Sequence, residues 1–263
     1  MPRSNNHPAL NYSLEGSGPD LVLIHGVGSR LTDWDATVSA LGPGFRILRY
    51  DLRGHGASDA PPGPYVIENF RDDLIGLMDE LGIVRAHIAG FSLGGLIAQS
   101  LALSAPERVA KLALLSTVAG RNDDEKAKVQ GRLDFIRSSH PADYFDQSVE
   151  RWFTPEFRNA NPEVVRRRKQ AVSEMDGAAY AAAYYALAMT DLGDQLSRIT
   201  APTLVATGEN DIGSNPRMAR FISETIPGAR LEILPNLRHS ILLQAPELVA
   251  DLLRGFLTDE EAS

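Results

Sequence analysis

Short apolar runs alternate with longer amphipathic stretches through most of the chain. The runs are rich in leucine, isoleucine, valine and alanine, as buried strands are, and the stretches between them carry apolar residues at helical spacing. This pattern predicts strands at 11–14, 20–24, 45–50, 86–91, 109–116, 203–207 and 230–234, and helices at 68–82, 96–103, 217–226 and 246–257. Such alternation indicates an α/β fold with a mostly parallel central sheet flanked by helices.

The alternation stops between residues 120 and 196. This segment shows no strand pattern, and its charged or alanine-rich stretches predict helices at 123–137, 142–153, 162–175 and 177–190. We therefore expect an α/β core formed by residues 1–119 and 197–263, and an all-helical cap, or lid, formed by residues 120–196.

Two features of the predicted cap bear on function. Trp152 is expected to line a binding cleft on the inner face of the cap and to influence substrate choice with little effect on stability. The basic run 166–169 is interpreted as a solvated helix face, because the chain is acidic overall.

Composition narrows the range of functions. The chain has 263 residues, with 34 acidic and 26 basic side chains and a formal net charge of -8, which argues against a nucleic acid partner. It contains no cysteine, so disulfides, cysteine-ligated zinc and thiol catalysis are excluded. There is no run of about 18 apolar residues, and the first ten residues lack the apolar segment of a secretory signal. We expect a cytoplasmic protein without a membrane partner, and the oligomeric state is left open.

One strand-to-helix junction carries a serine between glycines. The strand at 86–91 runs into Gly90-Phe91-Ser92-Leu93-Gly94, and an apolar helix follows. In this setting G-x-S-x-G is typical of a nucleophile elbow, a turn so sharp that only glycine fits beside the serine, whose hydroxyl is exposed at its apex. The helix N-terminus would favour negative charge beside Ser92. The alternative is a glycine-rich corner without a chemical role.

A second glycine-rich loop follows the strand at 20–24. Its sequence is His25-Gly26-Val27-Gly28, which is either a tight turn or part of an oxyanion hole. In the second case the backbone N–H groups of Val27 and Leu93 would bind the negative oxygen that forms during acyl transfer.

Two further candidates follow later strands. Asp211 comes after the strand at 203–207 and His239 after the strand at 230–234. Since open parallel sheets bind ligands at the carboxyl ends of their strands, Ser92, Asp211 and His239 are expected to converge. His239 would remove the proton of Ser92 as it attacks, and Asp211 would fix the tautomer of the ring. Asp51 and His55, in the polar loop 51–59, are interpreted as structural.

Together these segments resemble the α/β-hydrolase fold superfamily over nearly the whole chain, in the chain order Ser, Asp, His of the nucleophile-elbow hydrolases. The resemblance rests on HGVG (25–28), DLRGHGASD (51–59), GFSLGG (90–95), GEND (208–211) and RHSILLQAPE (238–247). The segments LRYDLRGHGASDAPPGPY and RWFTPEF make the chain most similar to 3-oxoadipate enol-lactonases and their carboxylesterase-like relatives. The resemblance implies a serine hydrolase that cleaves a small ester or lactone through an acyl-enzyme intermediate.

An enol-lactone of this kind carries a carboxylate, so the resemblance also implies a positive group near Ser92. Arg121 and Arg151 are the candidates. No metal or organic cofactor is expected, since neither H-E-x-x-H nor G-x-G-x-x-G occurs. Four alternatives stay open: a general short-chain carboxylesterase, a C–C bond hydrolase, a perhydrolase, and a small-molecule receptor that retains the triad.

Overall fold

The computed structural model describes residues 1–259, apart from the side chains of residues 141 and 142. Within these residues seven strands form one sheet: β1 (Tyr12–Gly16), β2 (Asp20–Ile24), β3 (Arg46–Tyr50), β4 (Ala86–Phe91), β5 (Val109–Leu115), β6 (Thr203–Gly208) and β7 (Arg230–Leu234). Their order in the sheet is β1-β3-β2-β4-β5-β6-β7. β1 is antiparallel to β3 and all other pairs are parallel, which confirms the predicted α/β architecture.

The described part of the chain contains eleven α-helices: α1 (Asp35–Leu41), α2 (Ile67–Glu80), α3 (Leu93–Ser104), α4 (Asp123–Ser138), α5 (Pro141–Trp152), α6 (Pro155–Ala160), α7 (Pro162–Ser173), α8 (Gly177–Met189), α9 (Pro216–Thr225), α10 (Ile241–Gln244) and α11 (Pro246–Thr258). Three of them, α1, α6 and α10, were not predicted, because helices of seven, six and four residues are too short to show a helical period. The helix predicted at 96–103 begins earlier, at Leu93, directly after Ser92.

Alternate residues of each strand supply the two faces of the sheet. In β2, Val22 and Ile24 pack into a cluster with α2, α3 and α9, while Leu21 and Leu23 pack into a second cluster with α1 and α11. The period of two in a strand explains this division. Because both faces are covered, β2 carries an unbroken apolar run from Leu21 to Ile24.

Between β5 and β6 lie the five helices α4 to α8, which we call the cap helices. They enclose a third apolar cluster, rich in tyrosine, phenylalanine and tryptophan. Helix α8 joins this cluster to the core: its alanines, among them Ala183 and Ala186, pack on the core side, and Tyr180 and Tyr184 pack among the cap helices. The predicted segment 120–196 contains all five helices, and its standing as a separate unit stays a prediction.

None of the helices in residues 1–259 has the length and apolar character needed to span a membrane.

Candidate active site

Ser92 lies at the junction between β4 and α3. Its backbone has φ 56° and ψ -114°, a conformation that costs a residue other than glycine about 1–3 kcal/mol. A side chain at Gly90 would collide with the backbone of Gly94, and one at Gly94 with the backbone of Ile24. The two glycines therefore permit the sharp turn. Ser92 as a whole is 7% exposed, and it lines the cleft described below.

His239 bridges Ser92 and Asp211. Its Nε2 atom is 3.2 Å from Ser92 Oγ, and its Nδ1 atom is 2.7 Å from Asp211 Oδ2. An ionised carboxylate can only accept hydrogen bonds, so Nδ1–H donates to Asp211 and Nε2 accepts the Ser92 hydroxyl. The backbone N–H groups of Gly213 and Ser214 donate to Asp211 Oδ1 at 2.8 and 2.9 Å. The structure thus brings together the three residues that the sequence singled out.

The loop that carries His239 is also held by the cap. The backbone N–H of His239 donates to the carbonyl oxygen of Arg151 at 3.4 Å. The backbone N–H of Ser240 donates to the carbonyl oxygen of Trp152 at 3.0 Å. Both acceptors lie at the C-terminal end of α5. The ring of Phe91, 5.1 Å from the His239 ring between centroids, covers another side. Core and cap residues therefore fix the histidine jointly.

The loop 25–28 approaches Ser92 closely. A Cβ atom at Gly26 would come within 2.9 Å of Ser92 Cβ. The Gly26 carbonyl accepts hydrogen bonds from His25 Nδ1–H at 2.8 Å and from the N–H of Ser29 at 3.2 Å. In a planar trans peptide the C=O and N–H point in opposite directions, so the Val27 N–H is turned away from these donors.

The two predicted oxyanion donors are the N–H groups of Val27 and Leu93. Neither donates to a protein acceptor within residues 1–259. Leu93 is the first residue of α3, where an intrahelical acceptor is lacking. Both donors are therefore open to hydrogen bonding by a bound group.

Two buried histidines hold the loop 25–28 against the chain after β3. His25 Nε2 accepts the N–H of Leu52 at 3.0 Å, and His55 Nε2 accepts the N–H of Gly28 at 3.1 Å. Burial lowers the pKa of the His25 ring. Burial and the nearby His25 ring lower the pKa of His55 to about 3, so His55 is neutral near pH 7.

The hydrogen bonds of Asp51 and His55 agree with their structural interpretation. The Asp51 carboxylate accepts the N–H of Leu31 at 2.8 Å and that of Ala57 at 3.0 Å, while His55 supports Gly28. Among the described residues neither side chain lines the cleft over Ser92.

The cleft over Ser92 lies between the core and the cap helices and holds about 880 Å³ of empty space, the open mouth included. Its aromatic lining residues are Phe91, Tyr144, Trp152, Tyr180 and Tyr184. Its ionisable basic and acidic lining residues, apart from His239, are Arg121, Lys128, Arg132, Arg151, Arg168, Glu125 and Asp211. A chain of net charge -8 thus concentrates positive charge at this one place.

Only Arg168 of these basic side chains forms an ion pair with a carboxylate within residues 1–259, while Arg121, Lys128, Arg132 and Arg151 form none. Arg132 Nε donates to the Tyr184 hydroxyl at 2.9 Å. Arg151 Nη2 donates to the Tyr144 hydroxyl at 3.1 Å and to Ser148 Oγ at 2.7 Å. Neutral hydroxyls orient both guanidinium groups, and neither group forms an ion pair with a described residue.

Arg121, the other arginine suggested by the sequence, lines the cleft differently. Its Nη1 donates to the Thr190 carbonyl at 2.7 Å and its Nη2 to the Leu187 carbonyl at 2.8 Å. Burial lowers the pKa of Arg121. Its hydrogen bonds therefore connect the segment before α4 to the C-terminal end of α8.

The basic run 166–169 is not uniformly solvated. Arg166 is exposed, as expected, but Arg168 is buried, lines the cleft and pairs with Asp33. Arg168 lies three residues after Val165 and four before Val172, both in the apolar cluster of the cap helices, so helical spacing places it on the buried face.

Trp152 lines the cleft, as predicted, but it also belongs to the core of the cap. It packs edge-to-face on Phe145, with ring centroids 5.4 Å apart, and on Tyr144, with centroids 6.1 Å apart. Only 8% of it is exposed. The expectation that it has little effect on stability is therefore revised.

With this geometry established, similarity to known proteins decides the family. A profile described as alpha/beta hydrolase fold matches residues 19–246. The chain belongs to the α/β-hydrolase fold family.

Named relatives of this α/β-hydrolase are enzymes. It is 34% identical over 228 residues to 3-oxoadipate enol-lactonase 2 of Acinetobacter baylyi, covering 86% of this chain and 85% of the relative. It is 30% identical over 257 residues to (E)-2-((N-methylformamido)methylene)succinate hydrolase of the same organism, covering 97% and 95%. The enol-lactonase from Burkholderia xenovorans LB400 has a TM-score of 0.92 at 32% identity, covering 98% of this chain and 100% of that one. The protein is a hydrolase, and the resemblance noted from its motifs is confirmed.

The cleft residues of this α/β-hydrolase that sequence reasoning missed include Lys128 and Arg132. They lie four residues apart on α4, each directly before a buried residue of the cap cluster, Val129 and Leu133. A basic pair at i and i+4 beside an apolar stripe is the signal that was available.

Proposed function

We propose that Ser92, His239 and Asp211 form a catalytic triad that hydrolyses an ester or lactone. The hydrogen-bond chain from Ser92 Oγ through His239 to Asp211 carries this proposal. His239 accepts the serine proton as Ser92 Oγ attacks the carbonyl carbon, and Asp211 stabilises the imidazolium that forms. His239 then protonates the leaving oxygen. In the second half of the reaction it deprotonates the water that releases the acyl group.

The negative oxygen of each tetrahedral intermediate is bound by the N–H groups of Val27 and Leu93. Support comes from their lack of protein acceptors and from the approach of Gly26 to Ser92. The N-terminus of α3 adds a favourable electrostatic contribution. Such preorganised donors often supply the largest single part of the rate enhancement.

We propose further that the substrate carries a carboxylate and is a small lactone, with 3-oxoadipate enol-lactone as the candidate. Arg132 and Arg151 support this, since both face the cleft without a carboxylate partner among the described residues. A charge-assisted hydrogen bond to either would contribute about 1.5–3 kcal/mol. The names of two relatives, an enol-lactonase and a succinate-derivative hydrolase, point to acidic substrates of those enzymes.

A matched pair of substrates tests this proposal. The purified protein is assayed on a carboxylate-bearing enol-lactone and on a lactone of the same ring in which the carboxylate is a primary amide. We expect kcat/KM to be about 10- to 100-fold higher for the acid, because about 1.4 kcal/mol corresponds to a factor of ten. Faster turnover of neutral short-chain esters than of any acidic lactone would instead indicate a general carboxylesterase. Binding without repeated turnover would indicate a receptor.

A further inference from the structure

The loop that carries Val27 is held by the cap helices as well as by the core. Arg168, in α7, donates from Nη1 to Asp33 Oδ2 at 2.7 Å, and the two side chains are only 7% and 18% exposed. Asp33 lies in the 3-10 turn Leu31–Trp34, which closely follows the loop 25–28. This ion pair therefore connects the cap directly to the chain beside Ser92.

From Asp33 the contacts continue to the peptide that carries the oxyanion donor. The Ser29 hydroxyl donates to the same carboxylate oxygen that pairs with Arg168. The backbone N–H of Ser29 donates to the Gly26 carbonyl at 3.2 Å. That carbonyl and the Val27 N–H belong to one peptide unit. A continuous path thus runs from Arg168 through Asp33 and Ser29 to the peptide that presents Val27.

Two further contacts bring the cap helices against this loop. Arg30 Nη2 donates to the Ala171 carbonyl of α7 at 3.4 Å. Gly28 packs so closely on the Tyr180 ring of α8 that a Cβ atom there would come within 2.7 Å of it. The loop and the residues directly after it are therefore contacted by α7 and α8 as well as by His55.

We propose that Arg168 is a positioning residue for the oxyanion site. By pairing with Asp33 it keeps the Gly26–Val27 peptide oriented so that the Val27 N–H faces the oxygen that becomes negative beside Ser92. The inference rests on the proposed function. This role is the same for every substrate, because the oxyanion forms whatever acyl group is transferred.

A substrate-binding role for Arg168 makes a different prediction. Its guanidinium lies over the Trp152 ring, 5.3 Å from the centroid, and lines the cleft. If it held the carboxylate of the substrate, its removal would affect acidic substrates alone, mainly through KM. If it positions the loop, its removal lowers kcat for neutral and acidic substrates alike.

The test uses Arg168→Met, Asp33→Asn and the double variant, assayed on p-nitrophenyl acetate and on the carboxylate-bearing lactone. We expect each single variant to lower kcat by about 10- to 100-fold for both substrates, with a smaller change in KM. The double variant should lose no more than the worse single variant, because both residues act through one contact. Arg166→Gln is the control, since Arg166 is an exposed arginine of α7 that pairs with Glu163.

A second readout is the binding of an analogue of the tetrahedral intermediate. Phenylboronic acid forms a negatively charged tetrahedral adduct with an active-site serine, so its inhibition constant reports on the oxyanion site. We expect Arg168→Met to weaken inhibition by about the factor lost in kcat, about 10- to 100-fold. Ser29→Ala, which removes only the hydroxyl that donates to Asp33, provides a milder perturbation should the arginine variant fold poorly. Ser29→Ala should also weaken inhibition by phenylboronic acid.

Unchanged kcat in all these variants would overturn the inference, as would a loss confined to the acidic substrate or losses that multiply in the double variant. Failure of the proposed function is separately visible, because Ser92→Ala would then keep its activity. An inactive Ser92→Ala protein together with a fully active Arg168→Met protein would refute the positioning role alone.

Discussion

The floor and the wall of the cleft are built from different kinds of structure. On the floor, Ser92, Asp211 and His239 each follow a strand of the sheet, and backbone hydrogen bonds hold the elements that carry them. On the wall, Arg132 and Arg151 project from cap helices, and the side-chain hydrogen bonds that they make to described residues go to hydroxyl groups. The geometry of the bond-breaking groups is thus fixed by the fold, whereas the charge facing the substrate depends on single side chains. Substitutions on the floor and on the wall should therefore have different consequences.

The largest effect is expected from Ser92→Ala. Removing the nucleophile should lower kcat by a factor on the order of 10⁴–10⁶ for every substrate, whether acidic or neutral. The melting temperature should not fall, because the hydroxyl fills no part of the apolar core. Steady-state kinetics together with thermal unfolding check this. A near-normal kcat would show that Ser92 is not the nucleophile.

Asp211→Asn should come next. An amide can donate to His239 Nδ1 and so favour the wrong tautomer, which should lower kcat by about 10³–10⁴-fold with little change in KM. The matched control is Glu209→Gln in the same loop, where the carboxylate accepts the exposed N–H of Asn236 at 3.1 Å. Equal losses in the two variants would show that disturbance of the loop, and not loss of the proton acceptor, is responsible.

Trp152→Ala changes a residue that belongs both to the wall of the cleft and to the apolar cluster of the cap helices. We expect the free energy of unfolding to fall by about 3 kcal/mol, as for a large buried aromatic, and the relative kcat/KM among substrates of different size to change. Phe157→Ala is the control, since Phe157 stacks on Phe153 at 5.4 Å and does not line the cleft over Ser92. It should reduce stability without altering substrate preference.

A smaller effect, on stability alone, is expected at His55, whose ring accepts a hydrogen bond from the N–H of Gly28. Its pKa is about 3 when folded, below the ordinary value of 6.5, so between these values the unfolded chain binds a proton that the folded chain does not. The stability that comes from keeping the ring neutral is complete above pH 6.5. It is lost progressively as the pH falls from 6.5 towards 3.

His55→Gln should therefore reduce the pH dependence of stability. The side-chain oxygen of glutamine can still accept the Gly28 N–H but does not titrate. Below pH 6 the slope of unfolding free energy against pH should decrease by about 1.4 kcal/mol per unit relative to wild type. Urea unfolding between pH 4.5 and 7 measures this, and parallel curves for the two proteins would contradict a neutral buried ring.

The sequence predicts the floor better than the wall for a physical reason. A nucleophile elbow requires glycines at fixed positions, and strand ends in a parallel sheet meet at one edge, so Ser92, Asp211 and His239 could be placed from local pattern and chain order alone. The backbone hydrogen bonds from the His239 loop to the cap helices could not be placed in this way, because the carbonyl groups of Arg151 and Trp152 carry no sequence signature.

The wall depends on which face of each cap helix meets the core, and tertiary packing decides that. Lys128 and Arg132 look like ordinary solvated charges until α4 packs on α8. Arg168 was misassigned because a run of four basic residues suggests a solvated face, although its spacing from Val165 and Val172 places it among buried residues.

The double variant Arg132→Gln/Arg151→Gln tests the separation of floor and wall most directly. The measurement is the ratio of kcat/KM for the carboxylate-bearing lactone to that for its amide counterpart, with Arg166→Gln as control. We expect the ratio to fall from about 10–100 in the wild type to near unity, while kcat/KM for the neutral lactone stays unchanged. An unaltered ratio, or an equal loss on both lactones, would contradict the assignment of carboxylate recognition to the cap wall.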